Sequence, residues 1–169
     1  MVNKSKISIY DIALMSTLTA ILFVQEQLLV NVPGVQLTIF LIVLYSKKLG
    51  LIRSLIIVII YALLDNLYMN SFSLLFTPFM LIGWLIIPLT VCTIFRKVES
   101  SLVLGCLGIL YSFLYSWLFI IPNFIFLNIG PLEYLVSDIL FEVILAVCSF
   151  LSLFWLYKPC SKIIDRIKK

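Results

Sequence analysis

VQLTIFLIVLYSKKLGLIRS, residues 35–54, decides how this chain is arranged. Its apolar run, Val35 to Ser46, is short for a helix that must cross about 30 Å of hydrocarbon, which takes roughly 20 residues. Lys47, Lys48 and Arg53 follow directly. If the run does not cross, these bases lie opposite Lys4 and Lys6, and every later basic cluster inverts with them. If it crosses, all twelve Lys and Arg fall on one side, in four clusters: Lys4/Lys6, Lys47/Lys48/Arg53, Arg96/Lys97 and Lys158 to Lys169. Cytoplasmic helix ends collect Lys and Arg while translocated loops lack them, so the crossing reading is the consistent one.

Working outward gives an all-α membrane protein, a bundle of six transmembrane helices with both termini cytoplasmic. The expected helices are about 9–29, 35–46, 51–68, 74–95, 102–122 and 134–157, within one transmembrane domain over residues 1–169. Composition agrees: 63% apolar residues, 12% charged residues and a mean hydropathy of +1.21 lie far outside the range of soluble domains. The net charge of +4 comes from bases that anchor helix ends near anionic lipid, so it sets orientation in the bilayer and is no nucleic-acid footprint. Lys4 and Lys6 precede a full-length apolar span with no small-residue cleavage site, which predicts that the first helix is retained.

The acids point to function. Five of the eight, Glu26, Asp65, Glu133, Asp138 and Glu142, fall at or near the outer ends of the first, third and last helices, where no Lys or Arg can pair with them. An unpaired carboxylate in hydrocarbon is costly, so such groups face a water-filled cavity or the bundle interior. Asp138 and Glu142 share a helix face that continues through Ala146, Ser149 and Ser152. The expected substrate-binding residues are Glu26, Asp65, Asn66, Asp138 and Glu142, with Gln25, Gln36, Asn70, Thr77 and Trp117 beside them. A pocket of carboxylates and amides suits a ligand that is cationic or dense in hydrogen-bond donors. Taken singly, each Asn, Gln or aromatic among them also fits an ordinary interfacial position.

On the cytoplasmic half of the first helix, Ala13, Ser16, Thr17 and Ala20 form small-xxx-small spacing, a face on which another helix can approach closely, from this bundle or from a partner. Much chemistry is excluded. With no His, no phosphate-binding glycine loop, no Gly-x-Ser-x-Gly elbow and no HExxH, the chain has no residues for metalloprotease, serine hydrolase or nucleotide-hydrolysis activity. No enzyme, cofactor or metal site is expected. Cys92, Cys106, Cys148 and Cys160 lack CxxC spacing and read as reduced packing residues of the cytoplasmic half. Gly83 and Pro88 could kink the fourth helix.

The size, the small-residue face of the first helix and the 35–54 stretch resemble the substrate-binding S components of energy-coupling factor (ECF) vitamin transporters. The resemblance covers essentially the whole chain, and FVQEQLLVNVPGVQLT (23–38) and LLDNLYMNSFSLLFTPFMLIGW (63–84) look most like the cobalamin-type members. It implies a protein of the cell membrane, bacterial by the resemblance, that captures a vitamin from outside. Its implied partners are a transmembrane scaffold subunit and two cytoplasmic ATPase subunits, with Ala13, Ser16, Thr17 and Ala20 as the docking face. Here Ala13 is followed by Thr17 and Ser16 by Ala20, where the family pairs alanines. The rival expectation is a proton-coupled secondary transporter or channel for a small cationic solute, with Asp65, Asp138 or Glu142 as the protonation site.

Overall fold

The computed structural model describes residues 8–68 and 73–167. Among them there is no strand. The helices are α1 (Ile9–Leu29), α2 (Thr38–Leu49), α3 (Leu51–Tyr68), α4 (Thr77–Thr93), α5 (Ser101–Leu118), α6 (Ile120–Leu127) and α7 (Pro131–Ile167). Ser8 starts α1 with a reciprocal cap: its hydroxyl accepts from the Asp11 N–H at 3.1 Å, and Asp11 accepts from the Ser8 N–H at 3.0 Å. The stop after α2 is Gly50, at φ +81°, whose N–H returns to the Ser46 carbonyl.

The bounds of α1 and α3 coincide with the sequence expectation, and four others move. Expected over 35–46, α2 runs from Thr38 to Leu49, because Val35 to Leu37 are drawn into other bonds described below. Pro78 in its first turn and the Ser73–Phe76 turn confine α4 to Thr77–Thr93, inside the expected 74–95. The expected 102–122 helix divides at Phe119, since Pro122 has no N–H for the Leu118 carbonyl; Phe119 bonds back to Ser116 and α6 resumes the helix. The last helix, expected over 134–157, starts at Pro131 and continues through Pro159 to Ile167, with Tyr157 and Ile164 buried. Seven helical segments thus stand where six helices were expected.

Bonds between helix ends fix the directions. Lys47 donates to the carbonyls of Phe95, Arg96 and Val98 just past α4, and Lys48 pairs with Asp165 of α7 at 2.7 Å. Arg53 pairs with Asp11 at 3.0 Å, and the Tyr10 hydroxyl donates to the Ile167 carbonyl. The starts of α1 and α3 and the ends of α2, α4 and α7 therefore meet at one end, which holds the described bases. Glu26, Asp65 and Asp138 lie at the other.

Ten of the twelve residues of α2 are buried, and it touches α1, α3, α4, α5 and α7. It is the axial helix of the bundle. Of the eight residues before it, 30–33 are exposed and 34–37 turn inward: Gly34, at φ +76°, lies so close to α7 that an added Cβ would stand 3.0 Å from the Phe141 carbonyl and from the Ile144 Cβ. Further in, the Cys148 thiol donates to the Gln36 carbonyl at 3.3 Å.

Among the described residues, four helical stretches are long and apolar enough to cross a membrane: Ile9–Leu29, Leu51–Tyr68, Ser101–Leu127 and Pro131–Ile167. They carry exposed apolar side chains such as Leu28, Leu67, Ile125, Leu140 and Trp155, a surface compatible with a membrane protein. The α5–α7 seam is built from small residues. Ser112 and Ser149 lie 3.2 Å apart, and a Cβ on Gly108 would meet Leu153 at 2.7 Å and the Ser149 carbonyl at 3.2 Å. Gly108→Val should therefore force the seam apart and cost about 1–3 kcal/mol. A lowered thermal unfolding midpoint in detergent would register it, while Cys106→Val on the exposed side should change stability by less than about 0.5 kcal/mol.

Candidate functional site

At the acidic end, α1 presents three consecutive polar residues to three partners. Gln25 serves the backbone: its Oε1 accepts from the Leu37 N–H at 3.0 Å, and its Nε2 donates to Thr38 Oγ1 at 2.9 Å and to the Leu22 carbonyl. The first turn of α2 is thus capped from another helix, a duty normally done by the N-cap residue, here the apolar Leu37. Glu26 Oε2 accepts from the Tyr61 hydroxyl of α3 and lies 3.1 Å from Thr38 Oγ1. The single Thr38 proton can serve Glu26 or Gln36 Oε1, at 3.3 Å, but not both. Gln27 Nε2 donates to Asp65 Oδ1 at 2.9 Å.

A second acidic group faces these across α5. Ser116 donates to Asp138 Oδ2, with the Tyr134 hydroxyl 3.4 Å from the same oxygen. One turn on, Glu142 is fully buried and its Oε1 has no hydrogen-bond partner. Tyr115 lies within electrostatic range of Glu26 and Asp65 and also of Tyr134 and Asp138. Its ring stacks on Trp84 at 4.1 Å, and Trp84 meets Tyr61 edge-on at 6.4 Å.

A cavity of about 200 Å³ opens beside this cluster. Its walls are Glu26 of α1, the Val30–Gln36 segment, Tyr115 of α5 and Phe141 of α7. Backbone outside regular structure is tolerated at membrane depth only where protein buries it or where it lines a cavity. The segment meets both conditions: Val32 and Val35 bond locally to Leu29 and Val32, Gln36 takes the Cys148 thiol, and Leu37 takes Gln25.

The expected site residues divide accordingly. Glu26 and Gln36 line the cavity, and Asp65, Asp138 and Glu142 lie around it without lining it. Asn66 and Thr77 do meet, at 3.0 Å, but as a buried brace between α3 and α4 that also engages the Ala62 carbonyl and Met80. Gln25 is a cap. Trp117 is half exposed and packs edge-on against Phe113 at 6.0 Å. Glu133 is exposed, and Asn70 lies outside the described residues. Sequence reasoning missed Tyr61, Trp84 and Tyr115, whose one available signal was the opportunity for aromatic packing beside Gly83. It also set all four cysteines away from this end, yet Cys148 bonds the cavity-lining Gln36. All four are free, and among the described residues no group of His, Cys, Asp or Glu could hold a metal ion. Ala13, Ser16, Thr17 and Ala20 are all exposed, so they do not pack inside the bundle.

Comparison with protein-family models, with curated proteins and with solved structures finds no match to this chain.

Removing the Gln25 side chain separates capping from ligand contact. Gln25→Leu leaves the Leu37 N–H without its acceptor and should lower stability by about 1–3 kcal/mol, read as the thermal midpoint in detergent. Trp117→Phe, at an exposed position, should stay within about 0.5 kcal/mol in the same measurement.

Proposed function

We propose that this chain is a membrane-embedded solute-capturing subunit of the S component kind. It would hold a small micronutrient in the acidic-end cavity and pass it inward through a scaffold subunit and two ATPase subunits. The observation that carries this reading is the Val30–Gln36 segment, which folds back into an otherwise helical bundle and walls a cavity together with the Glu26 carboxylate. In such a topology α2 and α4 would complete six crossings with the four long helical stretches, both termini cytoplasmic. The gathering of Lys47, Lys48 and Arg53 with the ends of α4 and α7 supports that sidedness.

Two further features favour capture over autonomous transport. The acids of α1, α3 and α7 near Tyr115 stop at one end, and the others, Asp11, Glu99 and Asp165, belong to the basic end, so no ionisable relay joins them. The small-residue face of α1 is exposed, with a shallow groove beside it lined by Thr17, Ala20 and Ile21, where a partner helix could lie. Cavity size bears on the cargo. Drug-sized ligands fill pockets of about 300–1,000 Å³; the cavity here is about 200 Å³, which favours a compact micronutrient over the cobalamin suggested by the resemblance.

Uptake in proteoliposomes tests the proposal. With scaffold and ATPase subunits, the chain should import its ligand only in the presence of ATP. Ala20→Trp should leave ligand binding intact and abolish import. Uptake by the chain alone that collapses with the proton gradient would reject the proposal in favour of a secondary transporter.

A further inference from the structure

We infer that the ligand of this cavity is a small organic cation, held through its ammonium or amidinium N–H groups by the free oxygen of Glu26. The inference rests on the solute-capture reading and names the class of solute.

The orientation of Glu26 is the first argument. Tyr61 and Thr38 both address Oε2, which fixes the carboxylate from one side. Among the described residues Oε1 has no hydrogen-bond partner, and Glu26 lines the cavity. A cavity-lining carboxylate held by Tyr61 through one oxygen keeps the other as an acceptor for a charged donor, the stronger kind of hydrogen bond.

Charge balance is the second. No Lys or Arg occurs between residues 7 and 46, 54 and 95, or 98 and 157, so no segment reaching the acidic end carries a cation. Gln27 gives Asp65 a neutral amide, and Ser116 gives Asp138 a neutral hydroxyl; neither balances charge. An anionic ligand would add repulsion at short range in a medium less screened than water.

Glu142 supplies an independent observation. It is 1% exposed beside the Trp117 side chain, and among the described residues its Oε1 accepts no strict hydrogen bond. Buried acceptors are nearly always satisfied, so this carboxylate, near the cavity though not in its wall, adds negative charge at this end that no Lys or Arg of the chain offsets. An aromatic in the wall also suits a cation: Tyr115, stacked on Trp84, lines the cavity with Glu26, and ammonium and guanidinium groups are attracted to aromatic rings.

The test uses three probes of one shape, benzylamine, benzyl alcohol and benzoate, titrated into the full-length protein in detergent. Isothermal titration calorimetry reports binding, and mass spectrometry of protein taken from its native membrane identifies any co-purified small molecule. Benzylamine should bind at least about tenfold more tightly than benzyl alcohol, the equivalent of one charge-assisted hydrogen bond, and benzoate should not bind. Glu26→Gln should erase the amine preference while alcohol binding persists. If that variant does not accumulate, Tyr61→Phe keeps the charge but loosens its orientation and should weaken amine binding several-fold. Equal binding of the alcohol or the acid, or a co-purified ligand without a basic nitrogen, would overturn the cation inference and leave solute capture standing. If no probe binds and nothing co-purifies, both fall.

Discussion

The N–H of Leu37 has no helical carbonyl to bond, and the fold answers with the side chain of Gln25 from another helix. A buried backbone group must find its partner within the protein, so this bond determines where α2 can begin. It begins one turn inside the end of α1, with Thr38 beside Gln25 and Glu26. Two consequences follow. A helix of twelve residues suffices for the remaining distance to the basic end, and the chain leading into it turns inward from Gly34, which packs against α7. The cavity is the space which that segment cannot fill, because Gly34 is held against Phe141 and Ile144 while Glu26 is held away by Tyr61.

Sorting of charge to the two ends was legible in the sequence because it depends only on which residues are present between breaks. The bounds of α1 and α3 were legible for a similar reason: a Ser–Asp capping box opens one, and Gly50 directly precedes the other. Where the deciding partner is distant in sequence, the reading failed. The start of α2 depends on Gln25, and Gln25 itself was taken for a ligand contact because an amide at a helix end carries the same signature whichever role it has. Pro122 and Pro159 look alike on paper. At the first the chain bends at Phe119; at the second it stays helical, because Tyr157 and Ile164 are buried and Asp165 is bound to Lys48.

The gathering of acids at one end was legible as an absence of counter-charge, a signal that survives without any knowledge of packing. Tyr61, Trp84 and Tyr115 were not found, since an aromatic residue in an apolar helix is ordinary filler until its neighbours are known. Their role is positional: Tyr61 orients Glu26, and Tyr115, stacked on Trp84, lines the cavity. Asn66 and Thr77 illustrate the converse, polar residues at the correct end whose hydrogen-bonding capacity is consumed by each other.

Stability and chemistry consequently occupy opposite ends of one bundle. At the basic end, Lys47 satisfies three carbonyls beyond α4, Arg53 neutralises Asp11 and Lys48 neutralises Asp165. Those ties join α1, α2, α3, α4 and α7 without using any residue near the cavity. At the acidic end the hydrogen bonds orient carboxylates but do not neutralise them, so under the proposed reading a bound cation would supply the balance. A bundle fastened at both ends by ion pairs would be more stable and would have no charge left to offer. The asymmetry between the two ends is therefore how the bundle is tied together by ion pairs at one end while its carboxylates stay without counter-charge at the other.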